Sequence, residues 1–146
     1  MPRLTLQQAN AIVERAIAKA RQADAPPIAV VVLDDGGHVK AVQREDGASM
    51  FRVDAGLGKA WGAVAMDEGS RGLAKRAKAN PGFFNALAMA AGGRMLPNPG
   101  GVLIRDRDSG AILGAVGISG DKGPQDEAFA VAGIAAAGLV ADPGED

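Results

Sequence analysis

Gly101-Val-Leu-Ile-Arg105, Asp106-Arg-Asp-Ser-Gly110, Ala111-Ile-Leu-Gly-Ala-Val-Gly-Ile118, Ser119-Gly-Asp-Lys-Gly123 and Pro124-Gln-Asp-Glu127 follow one another in the closing third of the chain, and their reading decides the fold. Two apolar runs, 101–105 and 111–118, flank a polar loop ending in glycine, which predicts a hairpin with a loop longer than the minimal two-residue turn. The second run feeds a glycine-rich turn and then a helix start. Glycines 114, 117 and 120 are expected to leave backbone open at the strand's end, and the helix start supplies N–H groups without intrahelical partners. The stretch is therefore the first candidate for one wall of a small-molecule site.

Outward from this hairpin the chain reads as helices and one more strand pair. Pro97-Asn-Pro-Gly-Gly101 and Gly92-Gly93 punctuate its approach, the diglycine either admitting a ligand to backbone amides or making a plain tight turn. Asn80-Pro81 is a cap and first-turn proline for a short helix with Phe83, Phe84, Leu87 and Met89, preceded by a basic helix over 70–79 whose Arg71, Lys75, Arg76 and Lys78 form a solvated face. A helix capped by Ser49 is predicted to run to Met66, with Val53, Leu57, Ala60, Trp61 and Val64 on its apolar face. Thr5 and Gln8 make a capping box for an amphipathic helix to about residue 23. After Pro26-Pro27, the run Ile28-Ala-Val-Val-Val-Leu33 predicts a strand buried on both faces, Asp34-Asp-Gly-Gly37 a hairpin turn, and Val39–Arg44 the return strand. The last helix is predicted through Leu139, with a frayed polar tail over 142–146.

Composition narrows the function classes. At 146 residues with 47% hydrophobic, the chain can bury one core, and 1–146 is expected to be a single domain. A formal net charge of −1 with mixed signs leaves no footprint for nucleic acid or an anionic membrane. Zero cysteines and one histidine exclude disulfides, thiolate nucleophiles and Cys- or His-rich metal sites within one chain, so no metal is expected. No run reaches the roughly 18 apolar residues of a membrane span and no leader precedes the first helix, so a cytoplasmic protein is expected. Aromatics are only 3%, which implies elements packed closely through alanine and glycine.

No phosphate-loop or dinucleotide fingerprint is present: glycines 114, 117 and 120 are spaced Gly-x-x-Gly-x-x-Gly. Lys59 is the unusual residue of its helix, because its neighbours three and four positions away are Ala55, Gly56, Gly62 and Ala63, too small to shield it. It is either a lysine on a solvated flank or a cation aimed into a cleft, where desolvation lowers its pKa. Asp126 and Glu127 sit in the first turn of the last helix, where the macrodipole favours acids and where a capping role also counts against a bound polyphosphate. Ser119 has only His38 as a conceivable base, and His38 itself reads as a half-exposed hairpin residue.

In order along the chain, Leu4-Thr-Leu6, Val32-Leu-Asp-Asp-Gly-Gly37, Arg44-Glu-Asp-Gly-Ala48, Gly58-Lys-Ala60, Pro99-Gly-Gly-Val102, Gly114-Ala-Val-Gly-Ile-Ser-Gly120 and Gln125-Asp-Glu127 resemble the GlcG/HbpS family, which includes the C-terminal domain of PduO-type proteins. The resemblance implies an α+β, profilin-like three-layer α/β/α sandwich around a five-stranded antiparallel sheet, assembled as a homo-oligomer. It implies haem or an anionic metabolite as ligand, with Arg44, Asp46, Lys59, Gly101, Ser119, Gly120 and Asp126 around one cleft. Haem wants His, Cys, Met or Tyr at its iron, and here His38 or a methionine at an oligomer interface would have to serve. Three functional expectations follow: a small-molecule-binding protein with Arg44 and Lys59 holding an anion; an enzyme using Lys59 as base or electrophile on a small carbonyl substrate, assisted by Asp126 or Asp46; or an oligomeric accessory protein without its own ligand.

Overall fold

Thr5 opens the first helix with the expected capping box: its hydroxyl accepts from the Gln8 amide at 3.0 Å and its own amide donates to the Gln8 side chain at 3.0 Å. In this computed structural model, which describes residues 2–145, the chain runs α1 (Leu6–Gln22), β1 (Ala29–Asp34), β2 (Val39–Arg44), α2 (Phe51–Met66), α3 (Ser70–Ala79), α4 (Pro81–Ala90), β3 (Gly101–Arg105), β4 (Ile112–Ser119), α5 (Gly123–Ala136) and β5 (Val140–Asp142). The strands form one antiparallel sheet in the order β2-β1-β4-β3-β5. Both predicted hairpins are present, and β1 and β4 pair in the interior of the sheet. Among the described residues no helix is long and apolar enough to cross a membrane.

Strand alternation sorts the central side chains into two layers. Val30, Val32, Val102, Ile104, Val116 and Ile118 pack on one face against Ile12, Val13 and Ala16 of α1 and Phe129, Ala130 and Ile134 of α5. Val31, Leu33, Leu103 and Ala115 face the other way onto Ala60 and Ala63 of α2. This is why the run at 28–33 has no polar alternation: both faces are covered. A bulge adjusts β4, where Ile104 pairs with Gly114 but Arg105 pairs with Ile112, leaving Leu113 as the extra residue. A small satellite core of Leu73, Phe84, Ala91 and Met95 lies under α3 and α4.

The α2 helix lies almost backbone to backbone on β4. A Cβ at Gly117 would come within 1.8 Å of the Gly56 carbonyl oxygen and 2.9 Å of the Ala60 nitrogen, so glycine is obligatory there for reasons of space. The same holds for Gly101, whose Cβ would meet the Lys59 carbonyl oxygen at 2.3 Å, and for Gly120, whose Cβ would meet the Pro27 carbonyl oxygen at 2.5 Å. The expectation that glycines 114, 117 and 120 leave backbone open to a ligand is corrected for Gly114 and Gly117, which are buried against Leu33 and Gly56, while Gly120 is half-buried. The diglycine at 92–93 closes α4 as a plain turn, its amides donating to Met89 and Ala88.

Two further boundaries differ from the sequence reading. Ser49 does not cap α2 with its side chain; Met50 occupies that place without a side-chain bond, and the Ser49 carbonyl accepts from the Arg52 amide at 3.0 Å. The last helix ends at Ala136, where Gly138 at φ +78 and the bonds Gly138 N–H to Ala135 O and Leu139 N–H to Ile134 O complete a Schellman motif. Val140–Asp142, whose last residue opens the tail predicted to fray, instead forms β5 against β3, pinned by Arg105 Nε to Asp142 Oδ2 at 2.9 Å. Its amide partners and that ion pair come from a strand far upstream, which a three-residue segment cannot announce.

Space at the α2–β4 contact is testable. Gly117→Ala is expected to destabilise the protein by about 3 kcal/mol or more through overpacking, whereas Gly82→Ala in α4, where no atom lies within 4 Å, should stabilise by about 0.5–1 kcal/mol. Equilibrium urea unfolding of the two variants checks the contrast.

Candidate functional site

A lysine on a helix whose nearest side chains are alanine and glycine is drawn down onto the sheet with that helix. Lys59 is 3% exposed, and its Nζ donates to the Ile118 carbonyl at 2.8 Å and to Asp126 Oδ2 at 3.2 Å. Asp126, 1% exposed, accepts from the Asp121 amide at 2.9 Å with its other oxygen. The carboxylate therefore does not cap α5. It ties the turn that precedes the helix to the lysine of α2, and α5 begins at Lys122 with no side-chain cap. Gly100 backs the amine closely, since a Cβ there would stand 2.8 Å from Nζ.

Burial is the dominant influence on both charges. It pushes the Lys59 ammonium below the ordinary lysine range; Asp126 opposes this, and the nearby Arg52 adds to the fall. Burial likewise pushes the Asp126 carboxyl above the ordinary range, against the pull of Lys59 and the Asp121 amide and helped by the Asp121 carboxylate. Each partner is held charged by the other and drawn toward neutrality by the medium.

Arg52 is the residue that the sequence reading missed. Half-buried on the first turn of α2, its Nη1 donates to Ser119 Oγ at 3.4 Å, and among the described residues no carboxylate is paired with it. Its helix start carries the positive end of the macrodipole and no side-chain cap. Arg52 precedes Lys59 by seven residues, which on a helix is the same face two turns on, and that spacing is the signal by which it could have been found. Met50 and Phe51, 83% and 62% exposed, stand immediately before it.

Ser119 is 3% exposed and belongs to this cluster, as do Lys59 and Asp126. Gly101 lies beneath it, its amide donating to Ser70 Oγ at 2.6 Å while that hydroxyl donates to Asn98 O at 2.6 Å. Gly120 packs against Pro27 and Ile28. Arg44 and Asp46 differ from the expectation of one shared cleft. Arg44 shares a cross-strand row with Ala29 and Ser119, but its guanidinium is bonded to the Ala48 carbonyl across its own bend. With exposed Asp46 it lines an open groove shared by Arg21, Pro27 and Gln43 on the α1 side. His38 is exposed at the β1–β2 hairpin with Nδ1 3.4 Å from Asp34 Oδ1, whereas Ser119 pairs with Ala29 at the other end of β1, so His38 is no base for it. Among the described residues no cluster of three or more His, Cys, Asp or Glu is placed to hold a metal ion.

The family model described as haem degrading protein, HbpS-like, matches residues 4–135. An uncharacterized 15.0 kDa protein in the dhaT-dhaS intergenic region of Citrobacter freundii is 28% identical over 127 residues, covering 87% of each chain. Among solved structures, the PduOC:heme complex aligns at a TM-score of 0.83 with 26% identity over 94% of this chain and 97% of that one. A double mutant of HbpS from Streptomyces reticuli aligns at 0.77 with 28% identity over 92% of this chain and 87% of that one. These likenesses agree with the five-stranded antiparallel sheet described above.

The buried pair yields a prediction. Lys59→Met or Asp126→Leu alone, by leaving its partner's charge buried, should cost about 3–5 kcal/mol, while the double variant should recover most of the loss. The sign of the pH effect follows from the raised carboxyl. Asp126 binds its proton more tightly folded than unfolded, so its contribution is present below its ordinary value of 3.8 and falls as pH rises through the raised one. Relative to the double variant, the wild type should therefore lose ground between acid and neutral pH, read by chemical denaturation across that range.

Proposed function

This chain belongs to the HbpS-like family, and on that premise we propose that it is a haem-binding protein whose ligand carboxylates are seated at the start of α2. The observation that supports this is Arg52, a half-buried guanidinium beside a second cation and without a carboxylate partner among the described residues. A cation on the first turn of a helix is stabilised by an anion, and a guanidinium offers a carboxylate two parallel N–H bonds.

The residues around Arg52 fit the group. Haem is a flat apolar ring with anionic edges and an iron that takes soft or imidazole donors, and when bound it supplies redox and oxygen chemistry. Met50, Phe51 and Arg52 present a thioether, an aromatic ring and a cation in three consecutive positions, the first two exposed. Arg52 would hold a propionate, Phe51 would shield the ring from water and Met50 would offer the sulfur. His38, also exposed, lies at a different kind of place, a hairpin tip beside Asp34 and Gly36. An exposed Met50–Phe51 surface would be covered by a second copy of the chain once loaded, in line with the homo-oligomer that the family resemblance implies.

This reading moves the anion seat from Arg44 to Arg52, and makes Lys59 the support beneath it. Titration with haem is expected to give a saturable Soret band at a simple stoichiometry. Arg52→Gln should weaken binding about tenfold, equivalent to about 1.4 kcal/mol, for one lost charge-assisted contact, and Met50→Leu should move the band without lowering stability. No stoichiometric band would remove haem from consideration, and a band indifferent to both substitutions would place the site elsewhere.

A further inference from the structure

A buried lysine–carboxylate pair is a costly way to brace a turn, since well-packed apolar side chains would hold the same place at least as firmly. Its position beneath Arg52 gives it a second meaning. Lys59 Nζ is bonded to the carbonyl of Ile118 and Arg52 to the hydroxyl of Ser119, consecutive residues of β4, so the amine and the guanidinium head adjoining positions on one strand.

We propose that Lys59 is a carbonyl-condensing amine and that the site accepts a small 2-oxo acid, its carboxylate on Arg52 and its neighbouring carbonyl carbon at Lys59 Nζ. The inference rests on the carboxylate seat at Arg52. A 2-oxo acid carries its carboxylate and carbonyl on adjacent carbons, which matches cations set at adjacent strand positions. Two of the three ammonium protons are engaged, one by a backbone carbonyl and one by Asp126 at 3.2 Å, so the acid that must move protons during condensation already touches the amine. Burial draws the pair toward its uncharged form, a free amine beside a carboxylic acid, the state from which attack begins. The 3.4 Å contact between Arg52 and Ser119 is the longest bond of the cluster, so a carboxylate would compete readily for the guanidinium.

The step balances without a further reactant. The nitrogen lone pair bonds to the carbonyl carbon, and the C=O bond is replaced by C=N. The oxygen leaves as water with two protons that come from the ammonium by way of Asp126. One carbonyl and one lysine ammonium give one protonated imine and one water, and no electron changes hands.

The test needs only the wild-type protein at first. Incubation with pyruvate and borohydride, followed by peptide mass mapping, is expected to place a saturable adduct on Lys59 in preference to the exposed Lys78 and Lys122. Acetone, which lacks the carboxylate, should label at least tenfold less, and propionate, which lacks the carbonyl, should protect. Arg52→Gln should reduce labelling of Lys59 at least tenfold with unchanged far-UV circular dichroism. Adducts confined to the exposed lysines, or none, would overturn the proposal. If haem binding still depended on Arg52 in that case, the condensation alone would fall; if Arg52→Gln altered neither haem binding nor labelling, the carboxylate seat would fall and the condensation with it.

Discussion

A charge removed from water persists in a protein only where another charge and a set of hydrogen bonds replace the solvent. In this molecule Lys59 and Asp126 meet that requirement for each other, and three elements are fastened by it. The amine comes from the middle of α2, the carboxylate from the first turn of α5, and the carbonyl that the amine also holds from the end of β4. Because Asp126 also holds the Asp121 amide, the whole turn from strand to helix is set by one buried pair.

The pair could not form without the glycines. Gly117 facing Gly56, and Gly101 against the carbonyl of Lys59, let α2 settle on the sheet at backbone contact distance. A larger residue at either place would lift the helix and carry Lys59 away from Ile118. Abundant glycine therefore serves close packing and, through it, electrostatics. Polyphosphate binding is disfavoured for the same reasons: the glycine backbone is covered, and an acid already lies at the start of α5.

Arg52 gives the cluster an outer layer of different character. The inner pair neutralises itself, whereas Arg52 sits above it in repulsion with Lys59, at the positive end of a helix and next to two exposed apolar side chains. Such an edge suits a ligand that is apolar along its body and anionic at its rim. Arg44, which looked like the natural cation for this purpose, is occupied with its own bend, and neighbouring Glu45 is drawn the same way, accepting from the Ile28 amide at 3.0 Å and pairing with Arg21 at 3.1 Å.

Local rules were enough for much of this. The capping box at Thr5, the β-branched run at 28–33, both hairpins and the proline-started helix at 81 are properties of short segments, and the sequence alone determined them because each depends on neighbours within a few residues. It also singled out Lys59, which broke the local pattern of its helix, while Ser119 and Asp126 came from the family resemblance. Only the tertiary structure decided that Lys59 and Asp126 meet across 67 positions, that Arg52 is the cation bonded to Ser119 while Arg44 is bonded to its own bend, that Gly101 and Gly117 lie against the backbone of α2, and that Val140–Asp142 is the fifth strand. Each of these is a contact between segments remote in the chain, and its sign depends on distance and burial, quantities that exist only after the sheet has brought the segments together.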